Sequence, residues 1–224
     1  MTQTSEPSTV DLSVFDDDTV ARAQQLISRY PLSRSALLPM LHLVQSVEGY
    51  VSQAGIAFCA GQLDLSNAEV SAVATFYTMY KRKPCGEHLG SEGKPLGQEE
   101  TSGEPGTPGS ITLEHAECLA ACDLGPVLQV NYEFYDNQTP DKALELVTAL
   151  QAGEKPAPTR GAPLTDFRQA ELQLAGFFEG RESDLDGPSA AAETVRGARV
   201  AADNGWTAPS MSDDVAFPPL PEKK

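Results

Sequence analysis

Basic residues are scarce in this 224-residue chain: 16 Lys and Arg stand against 32 Asp and Glu, a formal net charge of −16. That imbalance speaks against binding nucleic acid or an anionic membrane surface. Long apolar runs are missing too, and nothing approaches the roughly 18 consecutive apolar residues of a membrane span. Residues 1–15 lack the basic and apolar regions of a signal peptide, so a cytosolic, reducing setting is expected. Four cysteines are too few for a disulfide scaffold in a chain of this length. Tryptophan occurs once, as Trp206 near the C-terminus, a weak docking anchor at most. There is no nucleophile elbow, phosphate loop, dinucleotide fingerprint or internal repeat. What remains is ordinary globular composition, 40% hydrophobic and 21% charged, and a length suited to one or two domains.

Residues 1–17 read as a polar, mobile arm. Residues 18–82 read as helical throughout. Asp18 or Thr19 can cap a first helix that Tyr30-Pro31 ends. Ser33 or Ser35 can cap a second, with Pro39 in its first turn and Gly49 at its end. Ser52 starts a third. Ser66-Asn67-Ala68-Glu69 has the form of a capping box and opens a fourth, expected to reach about Tyr80. Short connections between amphipathic helices predict a small bundle. Residues 83–110 hold many Gly and Pro and only Leu89 and Leu96 as large apolar residues, so a linker without order is expected there. Ile111-Thr112-Leu113 is a strand candidate, and residues 128–134 alternate as one strand with a wet face. Thr139-Pro140-Asp141 begins a helix that runs to Gly153. Residues 154–182 form a Pro-rich extension, and 183–224 a tail expected to be disordered.

Chemistry concentrates in Cys118-Leu-Ala-Ala-Cys122. Thiolates are soft donors for iron or zinc, and three intervening residues let both sulfurs face one point. Ala120 and Ala121 leave room for an inorganic cluster. The plainer alternative is two buried cysteines on one helix face. Cys85 is a third ligand or a surface thiol. Cys59 lies in an apolar helical segment and reads as a small buried hydrophobe. His88 and His115 could give nitrogen ligands or be locally bonded, and His42 sits among core or interface residues. Lys81-Arg82-Lys83, the one basic cluster, is either a solvated helix end or a contact for an acidic partner.

Four ordered blocks then carry a resemblance. They are Ser35-Ala-Leu-Leu-Pro-Met-Leu-His-Leu-Val-Gln45, Val70-Ser-Ala-Val-Ala-Thr-Phe-Tyr-Thr-Met-Tyr80, Cys118-Leu-Ala-Ala-Cys-Asp-Leu-Gly-Pro-Val127 and Asp136-Asn-Gln-Thr-Pro140. Over about residues 19–165 the chain resembles the E subunits of actinobacterial NADH:quinone oxidoreductase, respiratory complex I. The resemblance implies an α+β protein: an N-terminal four-helix bundle, then a thioredoxin-like [2Fe–2S] ferredoxin domain spanning 111–153, truncated, with disordered tails. It implies a [2Fe–2S] cluster held by Cys118, Cys122 and Cys85, and no catalytic residue of the chain's own. It also implies as partners a flavin- and NADH-binding F subunit, over which residues 154–182 wrap, and other hydrophilic-arm subunits, and a place at the inner face of the cell membrane through the complex, without insertion of its own. The pattern breaks after Pro84. Roughly 25 family residues, including a core strand, most of a helix and the first cysteine pair, have no counterpart, which should leave strand edges open. A [2Fe–2S] cluster takes four ligands, so the fourth would be His88, Glu87, water or a partner residue. Two other readings follow from the shortfall: a cluster-free structural subunit of the same complex, or a zinc site on Cys85, Cys118, Cys122 and a histidine.

Overall fold

A computed structural model describes residues 10–92, 99–186, 191–208 and 210. The first nine residues of the expected arm and residues 211–224 of the expected tail lie outside them. The chain divides into two compact units, 1–189 and 190–224.

Asp16, two residues before the expected cap, opens α1 (Asp17–Ser28) by accepting from the Thr19 amide at 2.9 Å. Phe15 just ahead of it is buried and lies against Phe58, ring centroids 4.5 Å apart, so the arm is anchored where it meets the bundle. A 3-10 turn, Ser33–Ala36, leads into α2 (Leu37–Glu48), which ends on left-handed Gly49. Ser52 caps α3 (Gln53–Leu63), and the Ser66–Glu69 capping box opens α4 (Asn67–Phe76). That fourth helix stops four residues early, because Tyr77 turns to extended backbone. Leu26, Met40, Leu41, Val44, Ile56 and Leu63 fill the core of the bundle.

The sheet has five strands in the order β2-β3-β1-β4-β5. They are β1 (His88–Glu92), β2 (Glu100–Ser102), β3 (Ile111–His115), β4 (Leu128–Val130) and β5 (Glu133–Tyr135). β1 runs parallel to β3 and antiparallel to β4. Two expectations change here. The stretch 83–110, read as a linker replacing a lost strand, supplies both the central strand and an edge strand. Its glycines serve close approach as much as freedom: a Cβ on Gly86 would stand 2.7 Å from the Ser110 carbonyl oxygen. Leu89 and His88 are buried, and the Leu89 amide donates to the Asn131 side chain at 2.7 Å. The place expected to be an open edge is therefore filled by β1. The single strand read over 128–134 is a hairpin instead. Asn131 and Tyr132 both take positive φ, 48° and 73°, as a two-residue turn needs, and such a turn does not interrupt the apolar alternation.

α5 (Pro140–Gln151), capped by Thr139, packs Leu146 and Leu150 against Ile111, Val130 and Tyr135 of the sheet. The segment expected to wrap a partner folds back on its own chain. Arg160 forms a bidentate pair with Asp136, at 2.9 and 3.0 Å, and stacks over Phe134. α6 (Phe167–Leu174) packs on α2. In the second unit, α7 (Arg196–Asp203) is a helix within the stretch expected to be disordered; it buries no residue of its own.

Candidate functional site

β3 delivers the chain into a loop, residues 116–121, that carries Cys118 and leads into Cys122, the second cysteine of the C-x₃-C pair. Ala120 sits at φ 54° and turns the loop back, so that its amide donates to the Cys118 Sγ at 3.4 Å. Cys122 starts one 3-10 turn, Cys122–Leu124, closed by the Leu124 amide on the Ala121 carbonyl at 3.1 Å. The far end is pinned by two bonds from the loop ahead of α5: Asn137 N–H to the Leu124 carbonyl, 2.9 Å, and Gln138 N–H to that of Pro126, 2.8 Å. Cys118 and Cys122 are exposed and line one open cavity of about 310 Å³ with Ala120, Ala121, Pro126 and Val127. Small side chains and a fixed backbone around two sulfurs suit a soft metal center.

The other candidates lie elsewhere. Cys85 precedes β1, buried against Leu89 and Phe167, and burial pushes its thiol up to about 12. It lines a separate cavity of about 270 Å³ with Gly49, Glu87, Asp166 and Arg168. His88 is fully enclosed, with Nδ1 3.2 Å from the Asn131 side-chain nitrogen, and burial holds its pKa below the usual histidine value. Glu87 accepts from the Gly109 amide at 2.6 Å. His115 ends β3. Cys59 is the buried hydrophobe expected, its thiol pushed up by burial. Among the described residues, no three His, Cys, Asp or Glu side chains come together as a metal-binding group. The four-ligand zinc set is thus not assembled. A [2Fe–2S] cluster takes four ligands; among the described residues the loop brings two thiols to one cavity, and no third or fourth candidate side chain joins them.

The basic cluster splits. Lys81 is buried and ion-paired with Glu114 of β3, and its ammonium also donates to the Thr78 carbonyl at 2.7 Å. Lys83 remains exposed. Lys81, Glu114 and Tyr132 share a second cavity, about 330 Å³, with Cys118. Below it lies a network that sequence reading missed. Glu171 of α6, with no exposed surface, accepts from the Tyr132 hydroxyl at 2.9 Å and contacts His42 Nδ1 at 2.6 Å. The sole hint was His42 in an apolar helix; its partner is 129 residues away.

A helical bundle feeding a mixed sheet, with a C-x₃-C loop at the end of β3, defines a class. The family model of the thioredoxin-like [2Fe–2S] ferredoxins matches residues 23–90 and 95–151, and the chain belongs to that family. More particularly, it is 45% identical to the E subunit of NADH-quinone oxidoreductase from Mycobacterium tuberculosis, over 87% of this chain and 85% of that one. It is 31% and 32% identical to the E subunits of the same enzyme from Rickettsia bellii and Rickettsia conorii, over 61% of this chain and 93% of each of theirs. The mycobacterial alignment runs over 219 positions, whereas 87% of 224 residues is about 195, so about 24 positions are filled only in the relative. The family match is itself interrupted over residues 91–94.

Proposed function

We propose that this chain serves as the E subunit of an NADH-quinone oxidoreductase, seated against the flavin- and NADH-binding F subunit at the cytoplasmic face of the membrane. Cys118 and Cys122 are the ligands it gives to one iron of a [2Fe–2S] cluster. The observation that carries this reading is the placement of two exposed thiols on one pinned loop around one cavity. When bound, such a cluster supplies a one-electron acceptor beside the flavin. The chain's own residues position the sulfurs: Ala120 through its amide, and Leu124 and Pro126 through the bonds that hold the loop. The second iron then depends on ligands from outside the described residues. Iron and acid-labile sulfide analysis of purified protein, with an electron paramagnetic resonance spectrum after reduction, tests this. Stoichiometric iron and sulfide support it; none after anaerobic reconstitution beside the partner sinks it.

One observation favours a second reading, a cluster-free structural subunit of the same complex. Cys85, the remaining thiol considered as a ligand, is buried in an apolar cluster and lines a different cavity. The same measurement decides, with co-purification of a flavin-bearing partner showing whether assembly survives without iron.

A further inference from the structure

The four cysteines fall into two groups. Cys59 and Cys85 are enclosed among apolar side chains, and burial holds both thiols protonated. Cys118 and Cys122 are exposed. The chain between them folds back at Ala120, both residues line one cavity, and the Ala120 amide donates to the sulfur of Cys118. Among the described residues, no further His, Cys, Asp or Glu joins them as a third metal ligand. Two solvent-facing thiols on a turned-back loop, with half a ligand set, are open to chemistry that a saturated metal site forbids.

We propose that, in the metal-free chain, Cys118 and Cys122 act as a reversible dithiol–disulfide switch toward low-molecular-weight disulfides. One cysteine, as thiolate, attacks a sulfur of the small disulfide. A protein–small-molecule S–S bond forms, the original S–S bond breaks, and the first small thiol leaves and takes up a proton. The second cysteine then attacks the protein sulfur of that mixed disulfide and expels the second small thiol. Two electrons pass from the pair to the small disulfide, and the two protons lost by the cysteines end on the two released thiols. Exposure directs the exchange to this pair, since buried, protonated thiols react slowly. An oxidised pair has no thiolate to give to iron, so the switch also gates metal loading. That last consequence rests on the ligand reading above; the disulfide does not.

The test uses the full chain, freed of metal by chelation and with iron and sulfide measured on the same sample. It is incubated with oxidised glutathione, alkylated and weighed intact. The expected result is a loss of two hydrogen masses. Two thiols should be protected from alkylation, a peptide should link residues 118 and 122, and dithiothreitol should fully reverse the change. Cys118→Ser and Cys122→Ser should each stop at a glutathione adduct. Stable adducts on both cysteines of the parent, covalent dimers, or equal oxidation of Cys59 and Cys85 would overturn the proposal. A parallel reduced sample is reconstituted anaerobically with iron and sulfide beside the flavin-bearing partner. A disulfide without cluster formation there defeats the ligand reading alone, and a cluster without disulfide formation defeats this one alone.

Discussion

Glu171 has no exposed surface, yet its two oxygens serve groups from two other parts of the chain, Tyr132 of the β4–β5 turn and His42 of α2. Removing one partner from a buried hydrogen bond leaves the other with its desolvation cost, about 1–3 kcal/mol. Tyr132→Phe should therefore lower stability by about that amount, and Glu171→Ala, which strands both partners, by more; urea midpoints of the variants check both. His88 gives a pH dependence. Its folded pKa lies below the ordinary 6.5, with burial the main cause and Lys155 adding to it against Glu87 and Asp166. As pH falls below about 6.5, the unfolded chain takes up a proton that the folded chain does not, so stability is lost toward acid. The slope from one such group is at most about 1.4 kcal/mol per pH unit. The raised carboxyls of Glu48 and Glu133 act with the opposite sign. The check is thus the difference between the parent and His88→Gln: denaturation at pH 7.5 and 5.5 should show less loss in the variant. At the ligand loop, Cys118→Ser or Cys122→Ser should abolish any cluster absorbance, because a hard hydroxyl does not replace a soft thiolate on iron. Cys85→Ser should leave iron content unchanged, given its separate, apolar surroundings; a spectrum lost in that variant would restore it as a ligand.

Among the elements, those with local signals were legible and those made by distant contacts were not. Ser52, the Ser66–Glu69 box, Gly49 and Thr139-Pro140 each satisfy or terminate a helix end from within a few residues, and each stands where expected. β1 has no such signal. Its identity comes from Asn131, 42 residues on, and from pairing with β3 across the Gly-rich stretch. The hairpin was hidden because a two-residue turn keeps the alternation of a continuous strand. The cysteine pair was readable from spacing alone, whereas the separation of Cys85 from it depends on Phe167, which reaches Cys85 from α6. Since β1 is the middle of the sheet, Leu89→Ala should cost about 2–5 kcal/mol, as truncations in a packed core do. Gly86→Ala should also destabilise, because the Ser110 backbone occupies the space its methyl needs. Thermal denaturation of both variants reads this out, and an unchanged midpoint for Leu89→Ala would contradict the central place of β1.

For the molecule as a whole, the two compact units suggest a division of labor. Removing residues 183–224 takes away an α7 that buries nothing of its own, so association with a flavin-bearing partner should survive the truncation; lost co-purification would show that the tail carries interface energy. The opposite holds for the extension after α5. The family match ends at residue 151. Beyond it, the Pro156 carbonyl accepts from the Tyr135 hydroxyl, Arg160 pairs with Asp136, and the Phe167 amide donates to the Glu87 carbonyl. A chimera that transplants residues 23–151 between relatives would cut all three of these ties at once. A transplant that keeps these ties, together with α6 on α2, runs to about residue 175, some two dozen residues beyond the end of the family match.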